Sequence, residues 1–157
     1  MRQFGHDGMS VDVMRSALAL GLLLSALVGS AVGCGSKKHA ECGELVGVIN
    51  RGIGALEKGQ KQEKNDPSGT LELRAMADTA DKTADEASKL ELSLPETKGI
   101  ANRYGQMAKD VAKAAREIAD AAEKKDLDRI AKGRTALTAA VEKEDPIVQE
   151  LNKLCAP

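Results

Sequence analysis

The sequence predicts an all-α fold, an antiparallel up-down-up-down four-helix bundle with coiled-coil-like heptad packing. Three observations carry this. From residue 40 onward the chain is rich in Ala, Leu, Lys, Glu and Asp and poor in Pro. Apolar residues recur there at alternating three- and four-residue steps, the period of one helix face. The periodic stretches are joined by short segments with turn chemistry, which makes consecutive helices neighbours of opposite direction.

The first helix is expected over about 40–64, with Cys42, Leu45, Ile49, Gly52 and Leu56 on its seam. The second, over 70–92, places Leu73, Met76, Ala80, Thr83, Ala87 and Leu90 on one stripe, which Leu94 continues. The third, over 96–124, gives Ile100, Tyr104, Met107, Val111, Ala114, Ile118 and Ala121. The fourth, over 127–154, gives Leu127, Ile130, Leu137, Val141, Val148 and Leu151, then Cys155, with Arg134 and Glu144 as polar exceptions. Pro146 lies inside this last stretch, yet the apolar phase runs through it. A kinked continuous helix is expected, and the alternative is a short final helix capped by Asp145-Pro146.

The breaks have recognisable chemistry. Asn65-Asp66-Pro67-Ser68-Gly69 ends the first helix. Ser93-Leu94-Pro95-Glu96 is a stop followed by a start with capping-box spacing. Lys124 and Lys125 place positive charge at the end of the third helix, and Asp126 can cap the fourth. Ala101, Ala108, Ala115 and Ala122 repeat every seven residues beside the main stripe of the third helix. They allow close approach while burying little apolar area each. Gly47, Gly52, Gly54 and Gly59 in the first helix admit two readings, close backbone packing or a groove for a ligand, and packing is the expected one.

The N-terminal region has a different character. The segment from Ala17 to Gly33 carries no charge and centres on Leu18, Leu20, Leu22, Leu23, Leu24 and Leu27. Arg15 precedes it, and Gly29, Ser30, Ala31 and Gly33 follow the apolar run. A basic start, an apolar core and a small-residue exit describe a secretory signal peptide over 1–33. The core is about a dozen residues, short of the ~20 that span a bilayer. Asp7 and Asp12 are foreign to such a leader, so translation from Met9 or Met14 is an open alternative to Met1.

Ala31-Val32-Gly33-Cys34 resembles the lipobox of bacterial lipoproteins. The resemblance implies cleavage before Cys34, a diacylglyceryl group on its thiol, and acylation of the new amino terminus with a chain such as palmitate. Each buried methylene contributes about 0.8 kcal/mol, and two or three chains hold where one holds only marginally. The resemblance also implies a place in the cell envelope. Gly35, where an aspartate would mark inner-membrane retention, points to the outer membrane, facing the periplasm. Residues 34–39 then form a short lipidated tether and 40–157 the bundle, within about 20 Å of the bilayer by extended-chain reach. Beyond the signal region, the chain resembles small α-helical lipoproteins of unassigned function.

With Cys34 acylated, Cys42 and Cys155 remain. An even pair in an exported protein suggests a disulfide, with two free thiols as the alternative. The pair closes most of the chain into one loop, which contributes on the order of 4–5 kcal/mol in the chain-entropy model. An up-down-up-down order brings the same two positions to one end of the bundle.

Composition excludes several functions. Twenty-three basic residues face 24 acidic ones, without the basic surplus of a nucleic-acid binder. Tyr104 is the sole aromatic past Phe4, which excludes stacking platforms and aromatic cages. Past His39 there is no histidine, so nucleophile–His pairs, haem ligation and Glu-x-x-His di-iron sites have no basis. No cofactor, metal or catalytic residue is expected. Asp78, Asp81 and Asp85 share a helix face, but Lys82 and Lys89 interleave with them, so a solvated charged face is the expected reading. The expected function is a membrane-anchored structural or protein-interaction module. A small-ligand or lipid-binding bundle, which needs an internal cavity, is the runner-up.

Overall fold

The computed structural model describes residues 33–62 and 68–156 of the chain, with side chains over 37–58 and 68–156. Residues 1–32 of the expected leader, its alternative start sites and residues 65–67 of the first turn lie outside the described residues, while Gly33, the leader's last expected residue, opens α1. The described secondary structure is entirely helical: α1 (Gly33–Gln62), α2 (Thr70–Ser88), α3 (Pro95–Glu123), α4 (Leu127–Val141) and α5 (Glu144–Cys155).

Helix α3 is the centre of the fold. It packs on α2 along one side and on α4 and α5 along another, and it touches α1. Helix α1 packs mainly on α2 and reaches α5. The whole expected stripe of α3 is buried, from Ile100 through Tyr104, Met107, Val111, Ala114 and Ile118 to Ala121. Ala101, Ala108, Ala112, Ala115 and Ala119 are buried beside it. A helix covered on two sides needs small side chains on both flanks, and alanine supplies them at little cost in side-chain entropy. On α2 the facing positions are again small: Ala77, Ala80, Ala84 and Ala87 are buried.

Two glycines make close approach possible. A Cβ on Gly133 of α4 would stand 2.7 Å from Cγ1 of Ile118 on α3. A Cβ on Gly52 of α1 would stand 2.6 Å from Oγ1 of Thr83 on α2. Both helices therefore touch their neighbours through positions that no other residue could fill unaltered. At Gly52 the packing reading holds. Gly54 has nothing within 4 Å of its Cβ position, so it does not share that role.

Several sequence expectations change. Helix α2 stops at Ser88, with Lys89 as its C-cap, rather than at residue 92. Leu90 and Leu92 still pack into the core from the connection. The Ser93–Glu96 capping box does not form: the N-cap of α3 is Leu94, with Pro95 opening the helix. The expected kinked helix over 127–154 is two helices, parted at Glu142 and Lys143, which keep right-handed helical angles. Pro146 falls in the first turn of α5, where its missing N–H removes no intrahelical bond. The phase of α4 also departs from expectation. Gly133 and Ala140 are its buried positions. Leu127 is 76% exposed and Val141 48% exposed, while Ile130 and Leu137 are half-buried. Close contact through Gly133 sets the rotation of α4 and turns the larger apolar side chains aside.

The junction between α3 and α4 is a Schellman-type stop. The Asp126 N–H donates to the Ala121 carbonyl at 2.9 Å, and the Lys125 N–H donates to Ala122 at 3.0 Å. Lys125 occupies the left-handed position at φ 54°. Asp126 then caps α4 by accepting from the Arg129 N–H at 3.1 Å.

Candidate functional site

The Cys42 end of the fold gathers most of the sequence-predicted residues. Cys42, near the start of α1, and Cys155, the last residue of α5, are joined as a disulfide across 113 residues. The backbone of Cys34 lies in the first turn of α1, and its side chain lies outside the described residues. Residues 34–39 are thus helical, where an extended tether was expected. Cys34 lies eight positions before Cys42, about 12 Å along a helix axis. The disulfide end is therefore the end nearest Cys34.

Beside Cys42 stands a residue the sequence reading missed. Glu41 is 5% exposed, and its carboxylate reaches from α1 to the opening of α3. One oxygen accepts from the Ser93 N–H at 2.9 Å and the Ser93 hydroxyl at 2.6 Å. The other accepts from the Leu94 N–H at 3.1 Å and from the Thr97 hydroxyl. Backbone N–H groups at a helix start have no intrahelical acceptor. Here a carboxylate more than 50 residues upstream supplies one, in place of the expected local capping box. The hydroxyls of Ser93 and Thr97, in that order, pull the Glu41 carboxyl down to about 2, and the two N–H groups add to this against the opposing effect of burial. The signal in the sequence was the acid beside Cys42, at the edge of an apolar stripe. Its partner could not be read without knowing that the α2–α3 connection lies against it.

The acidic face of α2 has a definite partner. Arg116 of α3 donates to Asp81 at 2.6 Å and to Asp78 at 2.8 Å. The interleaved Lys82 and Lys89 are therefore not what holds these two carboxylates; an arginine from the next helix does. Among the described residues, no group of three or more His, Cys, Asp or Glu is placed to hold a metal ion.

Other cross-helix ion pairs repeat the pattern. Arg74 of α2 binds Asp120 and Glu123 of α3 at 2.8 and 2.9 Å. Arg103 of α3 binds Glu150 of α5 at 2.7 Å, Lys143 binds Asp110 at 2.8 Å, and Arg51 of α1 binds Glu86 of α2 at 3.0 Å. These pairs are solvated, so each adds little stability on its own. Together they fix which faces meet.

Recesses between helices are open grooves. One of about 420 Å³ runs between α1 and α2, lined by Arg51, Gly52, Gly54, Lys58, Lys82 and Thr83 among others. Another of about 340 Å³ lies between α3 and α5, floored by Met107, Pro146 and Ile147 and bounded by the two ion pairs Arg103–Glu150 and Lys143–Asp110. Tyr104 is buried and packed into the core, and burial, with Glu144 nearby, pushes its hydroxyl up to about 12. No described helix is long and apolar enough to cross a membrane. No family model, curated protein or solved structure matches this chain.

Proposed function

We propose that the chain is an acylated lipoprotein of the bacterial cell envelope, held to the membrane through Cys34 and serving as a structural or protein-interaction module. The observation that carries this reading is Gly33-Cys34 at the exit of a charge-free, leucine-rich segment. The outer membrane, with the helices in the periplasm, is the proposed address.

The proposed architecture is an up-down-up-down bundle with heptad seams. The order of cross-helix pairs supports it. Arg74, early in α2, meets Asp120 and Glu123, late in α3. Arg103, early in α3, meets Glu150, late in the chain. Glu41 meets Ser93 at the near end of the α2–α3 connection. In this arrangement the disulfide and the Ser93–Pro95 connection face the membrane, and the Asp126 turn faces away. A disulfide across an oxidising compartment and a carboxylate clasp at the anchored end give a tethered rod a firm base.

An interaction role is favoured over ligand binding because the grooves are open and crossed by ion pairs, whereas a ligand site encloses most of its occupant. No enzymatic role is part of the proposal, since nothing past His39 supplies an imidazole. The experiment is metabolic labelling with a radioactive fatty acid. The wild-type chain is expected to take up label and Cys34→Ala to take up none. Globomycin is expected to accumulate the precursor. Unaltered processing in both cases sinks the anchor.

A further inference from the structure

The flank of α4 beside its buried Gly133 and Ala140 has a consistent composition. Leu127, Arg134 and Val141 are spaced by seven, and Ile130 and Leu137 lie between them, so the five form one stripe. Leu127 is 76% and Val141 48% exposed, and Ile130 and Leu137 are half-buried, with Leu137 reaching the core. On α1 a second stripe starts at Cys42, whose bond to Cys155 points it at α5, and continues through Val46, Ile49, Ile53 and Leu56. Ile49 is buried, but Ile53 is 41% exposed. Helices α1 and α5 meet, whereas α1 and α4 form no extensive interface among the described residues. The fourth seam of the bundle is closed at the disulfide end and open beyond the α4–α5 joint.

Charge identifies what fits the opening. Arg51, Arg74, Arg103 and Arg116 each hold a carboxylate. The side chains of Arg129 and Arg134 on α4 hold none among the described residues, and Arg134 is the one set within the apolar stripe. A single cation within an apolar seam selects a partner with a carboxylate opposite it. A second copy pairing antiparallel through α4 would bring Arg134 onto Arg134, because residue 134 is midway between 127 and 141. Membrane-surface helices carry their cations on the polar face and keep the apolar face clear, and here the cation interrupts the apolar stripe.

We infer that the open seam between α4 and the far half of α1 is a docking surface for an amphipathic helix of a protein partner, with an acidic residue at the centre of its apolar face, over Arg134. This deepens the interaction-module reading and rests on it, while being independent of the anchor.

The test uses the purified full-length chain and two fluorescent synthetic helical peptides with leucine seams, identical except for a central seam residue, Glu in one and Lys in the other. Anisotropy titration is expected to show saturable binding with at least a tenfold preference for the Glu peptide. Arg134→Glu is expected to reverse that preference, and Leu127→Glu to weaken both peptides, with the melting temperature checked for each variant. Several results overturn the proposal: no saturable binding of either peptide, equal affinity for both, or an unreversed preference in Arg134→Glu. It is also overturned if the stripe is occupied by a second copy, shown by a dimer that Arg134→Glu dissociates, or if Arg134→Glu abolishes adsorption to phosphatidylglycerol vesicles while leaving peptide binding intact. Loss of fatty-acid labelling in the earlier experiment bears on the anchor alone, so the two failures are distinguishable.

Discussion

Helices α3 and α4 have the same kind of sequence and opposite fates. Both are alanine-rich and both carry an apolar stripe at heptad spacing. In α3 the stripe is buried from end to end, whereas in α4 two small residues are buried and the large ones are half-buried or exposed. The difference comes from their neighbours. Helix α3 has α2 on one side and α4 with α5 on another, so every face its alanines allow is used. Helix α4 leans on α3 through Gly133 and, among the described residues, has no extensive contact with α1. Periodicity shows that a stripe exists. It does not show that anything covers it.

The comparison is broken most directly by removing one large residue from each stripe. Ile100 is fully buried on α3, and Ile100→Ala leaves a cavity as well as losing transfer energy. A loss of about 3 kcal/mol is expected. Leu127→Ala on α4 is expected to cost under about 0.5 kcal/mol, as a solvated position. Urea unfolding with a shared slope measures both. Comparable losses would mean that the α4 stripe is covered in solution.

The two helices also begin differently. Asp126 caps α4 from within its own sequence, while α3 is capped by Glu41 from α1. A local cap serves whether or not the rest of the fold is present, whereas a distant one ties the start of α3 to the disulfide end. The consequence is a pH dependence. The Glu41 carboxyl is lowered from its ordinary 4.5 to about 2. A depressed carboxyl contributes stability above the unfolded value and loses it as pH falls through the folded one. Glu41→Gln is therefore expected to lower the unfolding midpoint, by on the order of 5 °C at pH 7. The gap to wild type is expected to close between pH 4.5 and 2. Asp110 and Glu150 are also lowered, chiefly by hydrogen bonds from Lys143 and Arg103 respectively. Both proteins thus weaken in acid, and the difference between them isolates Glu41. A gap that stays constant down to pH 2 would show that the carboxylate charge is irrelevant.

Much of this was legible in the sequence. The helical stretches, their order, the seam of α3 and the cap at Asp126 follow from spacing and residue chemistry. What was not legible depends on contacts between distant segments. The rotation of α4 is set by Gly133 against Ile118, a pair whose meeting no local pattern announces. Glu41 was passed over because a charged residue beside a seam is usually solvated, and only the Ser93–Thr97 segment makes its burial favourable. The division at Glu142–Lys143 matches the alternative of a short final helix, capped at Lys143 rather than Asp145, and the kink is favoured by sequence only because apolar phase survives a break between two helices that share a core. Cys34 is a different matter, since its reading rests on a motif whose chemistry lies outside the described side chains.

The smallest expected effect sits at the joint between the two helices compared. Lys125 holds a left-handed φ of 54° so that the Asp126 and Lys125 N–H groups can close the last turn of α3. An L-residue there carries a steric cost of about 1 kcal/mol, which glycine avoids. Glycine also loosens the unfolded chain, which offsets part of the gain. Lys125→Gly is therefore expected to stabilise by about 0.5 kcal/mol, a rise of a few degrees in melting temperature. The sequence places a lysine at this position, where glycine is the common choice, and a second lysine just before it. Their charge complements the C-terminal dipole of α3, worth a few tenths of a kcal/mol at low salt. The two contributions separate with ionic strength: the glycine advantage is expected to grow as salt screens the lysine. A variant less stable than wild type at high salt would show that the Lys125 side chain holds the joint by packing.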